Sequence, residues 1–286
     1  MSYGSPVFKT LLGPKFMEGT ALATSSTVEI PLPEDNPEHM SVLCNIFHMR
    51  NDRIVQLGLP FLANFVNTCD KYACALAVQP TVEGYMLAAL PLAGVPTLKI
   101  YLGIAMTLRY TDAVRRIAVR LAYQATKPIM EYMGPSRGST IGPVCARIDM
   151  SIVVARHCVS DYIDSIIDEQ HENRGMKGSC DARCNVGMSR VFGLLTQLKG
   201  YNLWSSTTKE VNLESILRSM ETLRLSDPID LSPCAMNGPY CAIGYGGMGL
   251  GRYQHEFGEK ASEIRKLIGN MEFPELGEAS QGTRKV

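Results

Sequence analysis

The sequence has no excess of either charge, since 28 basic residues balance 28 acidic residues along its 286 positions. This balance removes the positive field that non-specific binding to nucleic acid requires, so we expect no nucleic-acid partner. Charged residues reach only 20% and aromatic residues only 7%, whereas apolar residues reach 45%. This composition is typical of a globular chain and not of a disordered one.

The sequence also lacks an uninterrupted hydrophobic run long enough to cross a membrane. Its least polar stretch, residues 84–106, has Lys99 as its only charge and is interrupted by Pro91 and Pro96. A membrane-spanning helix needs about 20 consecutive, predominantly apolar residues. The stretch therefore predicts two packed helices joined by a turn, and we expect no membrane partner.

The cysteines do not suit a complete set of disulfide bonds, because their number is nine. No secretory segment follows Met1, because Ser5-Pro6 and Lys9 interrupt the apolar pattern there. Both observations favour reduced thiols in an intracellular protein, either cytoplasmic or nuclear.

Four cysteines in the C-terminal part are the candidate metal site. They are Cys180, Cys184, Cys234 and Cys241. Four thiolates can bind zinc tetrahedrally and stabilise a loop-rich region that lacks a large core. Their spacings differ from those of matched zinc knuckles, so reduced cysteines without metal are the alternative interpretation. His157 and His171, on the preceding predicted helix, are additional candidate ligands.

Three further patterns resemble catalytic or nucleotide-binding motifs without their structural context. Residues 244–249 satisfy G-x-G-x-x-G, but too little chain follows for a doubly wound sheet. Residues 134–138 match G-x-S-x-G, but a helical pattern and not a strand precedes them. A cluster of acidic residues lies mostly off the apolar stripe of its helix, which predicts a solvated face. Its members are Asp161, Asp164, Asp168 and Glu169. We therefore expect no enzymatic activity.

Proline and capping residues predict four helices in the N-terminal region. The predicted starts are Ser5-Pro6, Asn36-Pro37, Pro60 and Pro80. A serine followed by proline is a typical helix start. Apolar residues at helical spacing follow each start, which indicates one buried face per helix.

The rest of the chain is predicted to be helical and then richer in loops. Residues 93–172 include two helices near 97–108 and 111–125 and a long helix over Arg147–Gln170. Residues 173–286 contain loops with cysteine and glycine, and a polar tail. The predicted helices of this last region are Met188–Leu198, Leu213–Leu223 and Phe257–Ile268.

One segment of the N-terminal region alternates apolar and polar residues. It is Val28–Leu32, and it predicts a β-strand near a sheet edge, because Pro31 cannot donate a ladder hydrogen bond. A strand needs a partner, and no other segment of this region alternates convincingly. Either another chain supplies the partner or the segment that supplied it is absent.

Several N-terminal segments together resemble a BTB/POZ domain. The matching residues are Ser5–Leu12, Phe16–Gly19, Val28–Asp35, Met40–His48 and Asp70–Tyr72 with Cys74. The likeness is closest to the large fungal group of BTB proteins, in which a neutral helical region follows the domain. A complete BTB domain begins with strands and a helix before the matching serine. The resemblance therefore implies an N-terminally shortened domain over residues 1–92, and explains the orphan strand.

The resemblance implies a mainly α (α+β) fold and a function in protein assembly without catalysis. BTB domains form homodimers and dock partners such as cullin-type ubiquitin-ligase scaffolds. Only the first helix, with Val7, Phe8 and Leu11, maps to the dimer-facing region, and core packing is the alternative role of these residues. The shortened N-terminus predicts weak homodimerisation.

Three functions from different classes follow. We favour a non-catalytic protein-interaction protein of the BTB/POZ type, acting through itself or as an adaptor for a cullin scaffold. The second is a regulatory protein stabilised by zinc at the four C-terminal cysteines. The third, disfavoured by the missing sheet, is an enzyme that binds a small molecule through residues 244–249.

Overall fold

Helices make up most of the chain that the structure describes. The computed structural model describes residues 4–25, 27–50, 58–133, 141–172, 186–204, 211–226 and 250–273. The helices are α1 (Pro6–Leu11), α2 (Met17–Thr24), α3 (Pro37–Phe47), α4 (Leu59–Lys71), α5 (Ala75–Ala89), α6 (Val95–Leu108), α7 (Thr111–Gln124), α8 (Ile129–Met133), α9 (Gly142–Glu172), α10 (Val186–Gly200), α11 (Leu213–Thr222) and α12 (Arg252–Gly269). A short 3₁₀ helix, Leu90–Leu92, follows α5. The prediction of a mainly helical fold is confirmed.

The chain divides into two compact units. The N-terminal unit comprises Met1–Arg120, Pro135–Val144 and Glu272–Val286, and the second unit comprises Leu121–Gly134 and Cys145–Met271. The division falls within α7, so it does not coincide with the limits at residues 92 and 172 that the sequence suggested. Those limits stay a prediction.

The core of the N-terminal unit forms around α6. Helices α4 and α5 pack against α6, and α3 packs against both α4 and α5. Eight of the fourteen residues of α6 are buried, on almost every side of the helix. This burial explains the low polarity of residues 84–106, and it confirms the predicted pair of packed helices. Within the described part of the chain, no helix is both long and apolar enough to cross a membrane.

The packing of α3 on α4 includes a buried histidine. His39 Nδ1 lies 3.0 Å from Thr68 Oγ1, and the His39 ring packs edge-on against the Phe61 and Phe65 rings. Burial lowers the pKa of His39 below 6.5. The two helices are therefore neighbours.

Helix α5 begins earlier than the sequence predicted. Its first residue is Ala75, and Pro80 lies inside the helix instead of starting it. Pro80 removes one hydrogen bond, to the Leu76 carbonyl, at a position where the Leu76 side chain is exposed to solvent. The buried stripe of Val78, Val82 and Met86 stabilises the helix across this defect. Leu90, at the start of the 3₁₀ turn, is half-buried.

The predicted strand at Val28–Leu32 is wrong. These residues are described and form neither helix nor strand, and the described residues as a whole contain no strand. Alternation of apolar and polar residues indicates only which side chains would lie on the same face of a strand. A strand also needs a second backbone to accept and donate its hydrogen bonds, and Pro31 and Pro33 each remove one donor.

The second unit contains the long helix α9 and the helices α11 and α12, and α11 packs against α12. The apolar stripe predicted for α9 is buried, apart from Tyr162, which is half-buried. Its buried members are Ile148, Ile152, Ala155, Val159, Ile163 and Ile166. Asp161, Asp164 and Asp168 are exposed, as expected for a solvated face.

In the same unit, the Asp149 carboxylate accepts a hydrogen bond of 2.6 Å from the Ile129 N–H and so caps α8.

Among the described residues, four helices end in a left-handed residue that is not glycine. These residues are Met49, Ala73, Arg109 and Asn202, with φ between 49° and 61°. After α4, for example, the Cys74 N–H donates to the Cys69 carbonyl and the Ala73 N–H donates to the Asp70 carbonyl, both at 3.0 Å. These two bonds define the Schellman motif, which usually places glycine at the left-handed position.

Candidate protein-interaction site

The N-terminal helix α1 is attached to the chain segment that joins α4 to α5. We call this segment, Lys71–Cys74, the α4–α5 corner. The Ser5 hydroxyl donates a hydrogen bond to the Tyr72 carbonyl and accepts one of 3.2 Å from the Phe8 N–H. Ser5 thus caps α1 and fixes it to the corner with one buried hydroxyl.

An aromatic stack completes the attachment of α1. The Phe8 ring lies parallel to the Tyr72 ring, with 4.6 Å between centroids, and meets the Phe47 ring edge-on at 6.2 Å. Phe8 is 4% exposed. Among Val7, Phe8 and Leu11, Phe8 is therefore a core residue, whereas Val7 is exposed and Leu11 is half-buried.

Asp35, just before α3, is held at the same corner. Its carboxylate accepts hydrogen bonds from the Tyr72 hydroxyl at 2.7 Å and from Lys71 Nζ at 2.9 Å. The Tyr72 hydrogen bond, followed by the Lys71 charge, lowers the pKa of Asp35 although burial opposes this shift. Burial, followed by the Asp35 carboxylate, raises the pKa of Tyr72. The corner thus fixes both α1 and the start of α3.

Helix α2 packs tightly on the end of α1. Gly19 is its one buried residue, and a Cβ at this position would overlap the Gly13 carbonyl and the Leu12 backbone. The Phe16 N–H donates to the same Gly13 carbonyl at 3.2 Å, and the Thr20 hydroxyl donates to the Pro14 carbonyl at 3.4 Å. The close approach therefore depends on the absence of a side chain at Gly19.

Large apolar side chains project from this helix pair into solvent. They are Val7 on α1, Phe16 before α2, and Met17 and Leu22 on α2, with exposed fractions of 38%, 43%, 83% and 39%. We call these four residues the α1–α2 apolar surface. Side chains of this size and exposure can bind a protein partner by burying hydrophobic area.

The sequence pattern did not indicate α2. An amphipathic stripe is absent from it because its single buried residue is a glycine, so periodicity offered no signal. The remaining signal was composition, since methionine, glutamate, alanine and leucine are good helix formers. Consequently Phe16, Met17 and Leu22 were missed as surface candidates, although Val7 was included.

The four candidate zinc-binding cysteines belong to segments of the chain that the structure does not describe. Cys180, Cys184, Cys234 and Cys241 lie outside the described residues, as do the motifs at 134–138 and 244–249. His157 is exposed on α9. In the part of the chain that is described, no group of three or more metal-binding side chains occurs.

Comparison with known proteins identifies no relative. No family model, no curated protein and no solved structure matches this chain.

Proposed function

We propose that this chain is a non-catalytic protein-interaction protein of the BTB/POZ type. The α1–α2 apolar surface is the observation that supports this function. The segment from Ser5 to Leu22 contains both buried side chains that hold it in place and exposed apolar side chains that a partner can contact. Ser5 and Phe8 fix the segment to the fold, which leaves Val7 and Met17 available to a partner. The neighbouring positions of α3 and α4 agree with the helix order that the resemblance implies.

The partner proposed is a protein, and a cullin-type ubiquitin-ligase scaffold is the first to test. The matching chemistry is hydrophobic, because the four side chains of the α1–α2 apolar surface carry no charge. A protein partner can bury the α1–α2 apolar surface without a compensating charge.

The experiment measures binding of the purified full chain to a purified cullin scaffold by biolayer interferometry. Met17→Asp places a charge on the most exposed residue of the α1–α2 apolar surface. We expect this change to weaken binding about tenfold or more, as for an interface residue worth at least ~1.4 kcal/mol. Leu76→Asp is the matched control, because Leu76 is 84% exposed on α5 of the same unit.

Two outcomes would contradict the proposal for this partner. The first is the absence of binding by the wild-type chain, and the second is an equal loss with Leu76→Asp. Sedimentation of the full chain alone tests self-association, the other partner that the resemblance implies. There, Met17→Asp should shift any dimer towards monomer while Leu76→Asp should not.

A further inference from the structure

The α4–α5 corner brings two cysteine side chains together. Cys69 lies in the last turn of α4, Cys74 directly precedes α5, and both are buried free thiols. In a Schellman motif, the side chains three residues before the helix cap and two residues after it meet in an apolar contact. At this corner those two positions are Cys69 and Cys74, on either side of the left-handed Ala73.

The sulfur atoms form polar contacts as well. The Cys74 thiol donates to the Cys69 carbonyl at 3.4 Å, and the contact between the two thiols shifts the pKa of each. This second contact lowers the pKa of Cys74, because Cys69 stabilises its thiolate. The same contact, together with burial, raises the pKa of Cys69. Cys74 is therefore the better nucleophile of the pair.

We propose that Cys69 and Cys74 form a redox site that oxidises to an intrachain disulfide across the α4–α5 corner, with a low-molecular-weight disulfide such as oxidised glutathione as the oxidant. The backbone hydrogen bond of 3.0 Å from Cys74 to Cys69 keeps the two residues close in the folded chain. A disulfide requires this proximity, since it forms only between residues whose backbones are already near each other.

The reaction consists of two exchange steps. The Cys74 thiolate attacks oxidised glutathione, which forms a mixed disulfide and releases one glutathione thiolate that takes a proton. Cys69 then loses its proton and attacks the Cys74 sulfur, which forms the Cys69–Cys74 bond and releases a second glutathione. The protein loses two protons and two electrons, and one oxidised glutathione becomes two reduced molecules.

Oxidation has a structural consequence at the corner. A covalent link around Ala73 prevents the end of α4 from unwinding, so the Tyr72 carbonyl and ring stay in place for Ser5 and Phe8. Because both sulfurs are buried, glutathione reaches them only when the corner opens locally. The reaction is therefore slower than at an exposed thiol, and its product fixes the attachment of α1.

The test uses the folded full chain, treated with oxidised glutathione, alkylated and digested with trypsin. Lys71 lies between the two cysteines, so trypsin places Cys69 and Cys74 on different peptides unless a disulfide joins them. We expect a linked pair of peptides, 54–71 and 72–99, that separates on reduction. The number of free thiols on the intact chain should fall by two as the linked pair forms.

Variants separate the roles of the two cysteines. Cys69→Ser should trap one glutathione on Cys74 as a stable mixed disulfide, whereas the control Cys44→Ser should give the same linked peptides as the wild type. Should Cys69→Ser fail to fold by circular dichroism, phenylarsine oxide bound to the unmodified chain tests the same geometry, because it bridges two neighbouring thiols. Absence of the linked peptides together with absence of an arsenic bridge would overturn the proposal.

Discussion

Both units have an apolar core, but in the described part of the chain the second unit joins its helices by more ion pairs than the N-terminal unit does. In the N-terminal unit, buried apolar and aromatic side chains dominate, as in the stack of Phe8 on Tyr72 and the burial of α6 on almost every side. In the second unit, α12 is tied to α11 by Arg265, whose guanidinium donates to Glu214 at 3.0 Å and to Glu221 at 2.7 Å.

Further polar contacts fasten the second unit. Tyr253 donates from its hydroxyl to Glu169 at 2.8 Å and accepts from Gln170 at 2.8 Å. Gln197 both accepts from the Ser226 N–H and donates to the Ser226 carbonyl, each at 2.9 Å. Such contacts define geometry well but contribute less free energy than a buried aromatic ring, and salt screens the charged ones. The two units should therefore respond differently to salt and to truncation of single side chains.

The largest effect is expected for Phe8→Ala in the N-terminal unit. Loss of a buried ring should reduce the free energy of unfolding by about 3–5 kcal/mol, measured by urea unfolding. Val7→Ala, one position away and exposed, should change it by no more than about 0.5 kcal/mol. Equal effects of the two changes would show that Phe8 is not a core residue, and would break the contrast between the units.

A smaller loss is expected for Gly19→Ala. The added methyl group overlaps the Gly13 backbone, so we expect a loss of about 2 kcal/mol as α2 is displaced from α1. Gly258→Ala is the matched control in the second unit, because it lies within α12 and a Cβ there meets no atom within 4 Å. This control should gain about 0.5–1 kcal/mol from helix propensity. A gain at both positions in urea unfolding would contradict the close packing of α1 and α2.

In the second unit, Arg265→Met should reduce the free energy of unfolding by about 1 kcal/mol at low salt, because its partly exposed ion pairs are screened by solvent. Hydrogen bonding from Arg265 lowers the pKa of Glu214. The Glu214 contribution is therefore present above its unfolded pKa of about 4.3 and is lost as the pH falls through the folded value.

Urea unfolding in low and high salt checks this prediction. The loss with Arg265→Met should shrink as salt is raised, whereas the loss with Phe8→Ala should not. Arg218→Met is the control, since Arg218 is mostly exposed and lies 3.5 Å from Glu214 on the same helix. A loss of several kcal/mol that salt does not change would show that Arg265 stabilises the unit through burial, as Phe8 does, and not through ion pairs.

The smallest effect is expected for the residues with positive φ that end helices in both units. Ala73→Gly should stabilise the chain by somewhat less than about 1 kcal/mol, because glycine adopts a positive φ without steric cost. Asn202→Gly in the second unit should gain less, since asparagine tolerates this conformation better than alanine does. Thermal unfolding measures both. A destabilised Ala73→Gly variant would contradict the Schellman geometry after α4.

The sequence predicted those helices whose buried faces consist of apolar residues at regular spacing. Helix α9 and the neighbours α3 and α4 are of this kind, because burial of a stripe is a local property of the pattern. Helix α2 was missed because its contact depends on Gly19, which has no side chain to contribute to a pattern. The start of α5 was misplaced because Pro80 suits a first turn, whereas packing of Val78, Val82 and Met86 tolerates it inside the helix.

The candidate site was less predictable because its contacts join distant positions. Tyr72 and Asp35 are 37 positions apart, and Ser5 and Tyr72 are 67 apart. Periodicity places Val7 and Phe8 on a helix but does not tell which of them faces Tyr72. The strand predicted at Val28–Leu32 failed for a related reason, since pairing depends on a second backbone and not on alternation alone.

The position of α6 along the chain has a consequence for synthesis. The helices that cover it, α4 and α5, both precede it, so their apolar faces have already left the ribosome when α6 emerges. The most hydrophobic helix of the N-terminal unit can therefore be covered as soon as it is made. A chain with the reverse order would expose that surface to aggregation while it waited for its partners.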